Sequence, residues 1–137
     1  MSVRSFIDTN VLVYTDDEDY PDKQRTAVAL VGRCRREKKG VISGQILQEY
    51  FSVATRKLKI PAEKARRKID FFARFQVVLI NVEDIMAAID LHHLNGFSFW
   101  DSLVIRAALR SGCGVLYSED LQAGQRFEGL EIVNPFL

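Results

Sequence analysis

Short runs of β-branched and aromatic residues alternate along this chain with longer stretches whose apolar residues recur at helical spacing. That alternation narrows the fold more than any other feature of the sequence. Ser2–Ile7, Gly40–Ser43, Gln76–Asn81, Gly114–Ser118 and Leu130–Asn134 read as strands. Between them lie the predicted helices. A short one carries Val11, Leu12, Val13 and Tyr14, capped by Thr9 or Asn10, and another runs from about Asp22 to Lys39 and is stopped by Gly40. Gln45–Leu58 is followed by a helix that Pro61 opens at its first turn and that runs to about Phe75. Glu83–Leu94 and Ser98–Ser111 complete the set. Strands alternating with helices imply an α/β fold with a mainly parallel sheet of four to five strands and helices on both faces.

The 137 residues show no repeat, composition break or linker, so a single domain spanning residues 1–137 is expected. No apolar run nears the roughly 20 residues of a membrane helix, so no membrane role is expected. The apolar stretch closed by Asp8 is too short for a signal peptide. Cys34 and Cys113 stand far apart without paired spacing, which reads as reduced thiols and a cytoplasmic protein.

In an open α/β sheet the functional crevice lies beyond the carboxyl ends of the strands. Asp8 follows the first strand there, where an Asp serves equally as a turn or cap residue. Ser118-Glu119-Asp120 follows the fourth strand, with the same two readings. Asp101 lies in a helix that is apolar nearly all round, with Val104, Ile105 and Ala108 on its own face. A carboxylate in that setting is costly unless paired or metal-bound. The competing reading is a capping box, Ser98-x-x-Asp101. Glu49 lies at the edge of the stripe Ile46, Tyr50 and Val53, where an exposed helix Glu is the ordinary outcome. The sequence leaves open whether the first turn of the Asp101 helix reaches the edge that holds Asp8. Taken together, several acids on one sheet edge suit Mg²⁺ or Mn²⁺, which take hard oxygen ligands. Such carboxylate sites support in-line displacement at phosphorus.

The net charge of +1 hides a sharp segregation. Residues 33–68 hold twelve basic and three acidic groups, residues 1–32 three and six, and residues 69–137 four and nine. The basic middle is either a solvated pair of helices or a surface for an anionic partner, with nucleic acid the first candidate. Arg56, Lys57, Lys59, Arg66, Arg67 and Lys68 follow the helix of Glu49 and can flank the acids. Arg33, Arg35, Arg36, Lys38 and Lys39 form a separate cluster.

Four segments, in order and spanning essentially the whole chain, resemble the PIN-domain family and within it the small VapC-type toxins of toxin–antitoxin pairs. Phe6-Ile7-Asp8-Thr9-Asn10-Val11-Leu12 is similar to the family's opening strand with its first acid. Ile46-Leu47-Gln48-Glu49-Tyr50 and Ser98-Phe99-Trp100-Asp101-Ser102-Leu103-Val104 are similar to the segments with the second and third. Val115-Leu116-Tyr117-Ser118-Glu119-Asp120-Leu121 is similar to the fourth, with Ser118 where the family more often has Thr, and its register favours Asp120 over Glu119. The resemblance implies an α/β/α sandwich and a metal-dependent endoribonuclease. Asp8, Glu49, Asp101 and Asp120 would hold Mg²⁺ or Mn²⁺, and Thr9, Asn10 and Ser118 would orient those acids or the attacking water from behind. It also implies a homodimer and an inhibitory antitoxin whose tail occupies a groove near the acids, or else an RNA-processing role outside such a pair.

Competing patterns are weak. No Walker A sequence is present, Gly112-Cys113-Gly114 lacks the third glycine of a dinucleotide turn, and adjacent His92-His93 cannot face one zinc ion. A receiver-like phosphoacceptor would need an Asp after the third strand and a Lys after the fifth, and the chain has Asn81 and Asn134 instead. A non-catalytic RNA- or protein-binding module would lack the acids that are all present.

Overall fold

The computed structural model describes residues 3–137, so Ser2, the predicted start of the opening strand, lies outside the described residues. In chain order the elements are β1 (Ser5–Ile7), α1 (Thr9–Tyr14), α2 (Pro21–Glu37), β2 (Gly40–Ser43), α3 (Gly44–Arg56) and α4 (Ala62–Phe72). Then come β3 (Gln76–Val78), α5 (Val82–Asn95), α6 (Phe99–Arg110), β4 (Val115–Tyr117), β5 (Arg126–Phe127) and β6 (Leu130–Val133). The sheet order is β3-β2-β1-β4-β6-β5. All neighbours are parallel except β5, which runs antiparallel to β6. The α/β reading with a mainly parallel sheet thus holds.

Every residue of β1 and β2 is buried, as expected for central parallel strands covered on both faces. Phe6, Ile7, Ile42, Leu116 and Ile132 project from the strands into one continuous core with Leu12, Ile46, Tyr50, Phe72 and Ile105 from the helices. Burying each such side chain contributes about 1.5–3 kcal/mol. From β1 the chain builds outward through β2 and β3 on one side, and β4 then returns to β1's other side. The sheet therefore reverses its winding between β1 and β4, and a crevice opens above their carboxyl ends.

Several boundaries depart from the sequence reading for local reasons. Asp8, not Thr9 or Asn10, caps α1 by accepting from the Thr9 N–H. Lys38, in the left-handed region at φ 57°, ends α2 before Gly40 is reached. Gly40 serves packing instead: a Cβ there would lie 2.7 Å from the Phe75 ring. Pro61 is the cap residue of α4, not part of its first turn. β3 stops at Val78 because Asn81 is taken up in a capping box with Asp84 at the start of α5. A sixth strand appears because Glu128 and Gly129, both at positive φ, fold the two residues of β5 back onto β6.

Candidate functional site

The crevice between β1 and β4 is built by two loops that hold each other. The Asp8 N–H donates to the Tyr117 carbonyl at 3.0 Å, so the residues after both strands start side by side. The buried Asp8 carboxylate accepts from the Thr9 N–H and from the Ser118 hydroxyl, both at 2.8 Å. Asn10 clips the loops together: its amide donates to Asp8 Oδ2 at 3.4 Å, Ser118 Oγ at 3.3 Å and Asp120 Oδ2 at 3.2 Å. Its carbonyl oxygen accepts from the Glu119 N–H at 3.1 Å. The Thr9 hydroxyl donates to Glu49 Oε1 at 2.8 Å, which ties α1 to α3.

Asp101 reaches the same place because α6 runs antiparallel to β4 and begins at the carboxyl edge of the sheet. Its N–H donates to Ser98 Oγ at 3.1 Å, which caps the helix. Its carboxylate accepts no hydrogen bond among the described residues, so only half of the capping box forms. The contrast with Asn81 and Asp84 is direct, because there both halves form. Asp8, Glu49, Asp101 and Asp120 all border one cavity of about 450 Å³.

Burial is the main force on Asp8 and pushes its pKa up to about 6. The hydroxyl of Ser118 and the N–H of Thr9 oppose that rise, and the nearby charges of Glu49 and Asp120 add to it. Among the described residues no Lys or Arg nitrogen lies within 4.0 Å of the carboxylates of Asp8, Glu49, Asp101 or Asp120. The neighbouring acids differ. Glu119 is bound by the Lys23 ammonium at 2.5 Å and the Tyr14 hydroxyl at 2.7 Å. Burial alone would raise the pKa of Glu119, but these partners hold it below the ordinary range. Asp120, with only an amide donor on its carboxylate, is therefore the free acid of that loop. Buried Asp84 is likewise paired, with Arg106 at 2.9 Å and Arg110 at 2.8 Å.

Asp8, Glu49, Asp101 and Asp120, joined on the wall by buried Asp17, have no Lys or Arg nitrogen within 4.0 Å, and a cavity with these oxygen donors and no His or Cys on its walls fits a hard divalent cation. Among the described residues, no three His, Cys, Asp or Glu side chains close into a ready-made cage for an ion. The acids border the cavity rather than converge on one point.

The basic residues divide. Lys57 lines the cavity, and Arg56 donates to Ser52 Oγ from the last turn of α3. Lys59 lies in the following loop at φ 60°. Arg66 borders a separate apolar groove, and Arg67 pairs along α4 with Glu63. Lys68, grouped with them in the sequence as a candidate for nucleic-acid binding, has an internal partner. Its ammonium donates to Asp16 at 3.1 Å and to Thr15 Oγ1 at 3.2 Å, and Asp16 also accepts from the buried Tyr50 hydroxyl at 2.5 Å. Lys68 thereby ties α4 to the end of α1.

The sequence reading missed Gln45, Lys23 and Tyr14. Gln45 is buried, and its amide joins Glu49 Oε2 to the Trp100 carbonyl, each at 3.4 Å. Its spacing four residues before Glu49 was the available signal. Lys23 and Tyr14 carry no such signal, because only the tertiary fold brings them to Glu119.

These features define an α/β protein with a carboxylate-lined crevice at the winding reversal of a parallel sheet. The chain belongs to the PIN domain family, whose model matches residues 5–126. Three solved structures share the fold. Mycobacterium tuberculosis VapC20, a toxin that cleaves the sarcin–ricin loop, is 14% identical with a TM-score of 0.61, over 85% of this chain and 89% of that one. A toxin–antitoxin complex from Klebsiella pneumoniae gives 16% and 0.68, over 96% and 97%. VapBC2 of Rickettsia felis, bound to a promoter DNA fragment, gives 17% and 0.64, over 93% and 96%. No curated protein matches. Among the described residues no helix is long and apolar enough to cross a membrane.

Proposed function

We propose that this chain is a metal-dependent endoribonuclease that hydrolyses RNA phosphodiester bonds as the toxin of a toxin–antitoxin pair. The observation that carries this reading is the contrast between its acids. Glu119, Asp16 and Asp84 have internal cations, whereas Asp8, Glu49, Asp101 and Asp120 share a cavity and have none. Membership of the PIN domain family supports it, and so does the fold shared with a toxin that cleaves the sarcin–ricin loop, with a toxin–antitoxin complex and with VapBC2.

In this reading Asp8, Glu49, Asp101 and Asp120 hold Mg²⁺ or Mn²⁺. The bound cation supplies Lewis acidity toward the phosphoryl group and a more acidic water. Ser118 and the Thr9 N–H keep the Asp8 carboxylate aimed, Asn10 holds Asp120 beside it, and Thr9 and Gln45 orient Glu49. Lys57 lies on the cavity wall, where it attracts the RNA backbone toward an otherwise acidic site. The partners proposed are an antitoxin and a second copy of the chain, in the cytoplasm, with residues 1–137 acting as one nuclease domain.

The test is cleavage of RNA by the purified chain. With Mg²⁺ or Mn²⁺ it yields products with a 5′-phosphate and a 3′-hydroxyl, and EDTA abolishes cleavage. Asp101→Asn lowers turnover by orders of magnitude while the fold persists. Full activity in EDTA, a 2′,3′-cyclic phosphate, or unchanged specific activity in Asp101→Asn overturns the reading.

A further inference from the structure

Most large apolar side chains that the fold leaves exposed lie away from the acids. Leu79, Val82, Met86 and Leu94, for example, belong to α5 and its approach. Trp100 does not. It is 62% exposed, yet it lines the acid cavity one residue before Asp101. An indole removes a large apolar area from water when it is buried, so one left open beside carboxylates forgoes that gain. The backbone that carries it is nonetheless held. The Ser98 cap holds the first turn of α6, and the Gln45 amide donates to the Trp100 carbonyl. Phe99 packs edge-on against the indole with centroids 5.2 Å apart. Among the described residues no other aromatic ring and no cation is stacked on it. Tyr20, the other exposed aromatic on this cavity, is already engaged by the Tyr14 ring at 5.8 Å and the Lys23 ammonium at 5.6 Å.

An anchored, uncharged ring beside an acid cluster gains nothing from phosphate but offers a stacking surface to a base. Stacking on an aromatic tolerates any base, since each presents a π-face. We propose that Trp100 is a stacking platform that holds an unpaired nucleobase beside Asp101 and thereby sets the adjoining phosphodiester over the acid cavity. The inference rests on the nuclease reading above and adds to it a residue that selects and positions substrate. A base inside a duplex is covered by its neighbours, so the platform accepts only unpaired nucleotides.

Trp100 is the chain's single tryptophan, so its emission reports this position alone. The probes are a ten-nucleotide RNA of mixed sequence and a decamer of the same charge whose sugars carry no bases, with Ca²⁺ replacing Mg²⁺ to slow cleavage. The RNA is expected to quench Trp100 emission and to bind about 5- to 150-fold more tightly than the abasic decamer. Trp100→Ala should remove that preference, and Trp100→Tyr should restore most of it. Fluorescence anisotropy of labelled decamers reads binding in the variants. The exposed position makes both substitutions compatible with folding, which circular dichroism checks. If the RNA binds and is cut in Mg²⁺ while emission and the preference of Trp100→Ala are unchanged, the inference fails and the nuclease reading stands. If neither decamer binds and no RNA is cut, both fail. Emission that shifts with protein concentration but not with RNA assigns the ring to a contact between copies and overturns the inference.

Discussion

Asp8 and Asp84 are both buried carboxylates, and their surroundings give them opposite dependences on pH. Asp8, raised mainly by burial to about 6 from an unfolded value of 3.8, keeps a proton in the folded state that the unfolded chain releases first. Stability contributed by this group therefore falls as pH rises from about 4 to about 6. Without divalent metal, the loss at pH 7 is at most about 3 kcal/mol, since each pH unit separating the folded and unfolded values is worth about 1.36 kcal/mol. Asp8→Asn removes the charge but also weakens the bond from Ser118, so a net gain of about 1–2 kcal/mol at pH 7 in EDTA is expected. Urea titrations at pH 4 and pH 7 check this: the gap from wild type should be absent at pH 4 and open at pH 7. An equal gap at both values would assign the effect to packing of the amide. The same variant should lose RNA cleavage by orders of magnitude.

At the scale of elements, Asp84 both caps one helix and pairs with cations of the next, whereas Asp8 only caps its own helix. Asp84 completes the capping box of α5 and anchors Arg106 and Arg110 of α6, and Arg110 also donates to the Leu79 carbonyl. Burial would raise its pKa, but the Asn81 N–H and the two guanidinium groups outweigh burial and hold it below the ordinary range. Its contribution is present above the unfolded value and lost as pH falls through the folded one. Asp84→Ala should cost about 2–3 kcal/mol at pH 7, less than a fully buried pair would, since both arginines are about a third exposed and rehydrate. Chemical denaturation measures the loss, and RNA cleavage per folded molecule should be unchanged. A fall in specific activity as large as that of Asp101→Asn would mean that the α5–α6 pair is coupled to the cavity.

Across the whole molecule, the charge segregation of the sequence turns into an acidic cavity with basic residues beside it. Arg56, Lys57 and Lys59 are the members to test, because Lys68 is committed to Asp16 and its reversal would unfasten α4 from α1. Changing the three to Glu should weaken RNA binding at low salt. It should also flatten the log–log salt slope by about 0.7 for each phosphate that is no longer neutralised. Binding isotherms at several salt concentrations read both quantities. An unchanged slope would assign this face to solvent or to a protein partner.

The alternation of strands and helices was legible because each element carries its own period, of 2 or 3.6 residues, and that period depends on neighbours in the chain alone. The carboxylates at strand ends were legible for the same reason: Asp8 and Ser118-Glu119-Asp120 directly follow apolar runs. The first turn of α6 needed the fold, because its approach to the crevice follows from the antiparallel run of that helix against β4. Motif register favours Asp120 over Glu119; what no local pattern carries is the ion pair of Glu119 with Lys23, 96 residues away in sequence and 2.5 Å off. The same holds for Lys68, which reads as one more surface cation until Asp16 and Tyr50 are found around it. Which acids are neutralised inside the protein, and which are left for a partner from outside, is a property of distances between remote residues. Local pattern sets what each segment can become, and only packing decides which charges meet.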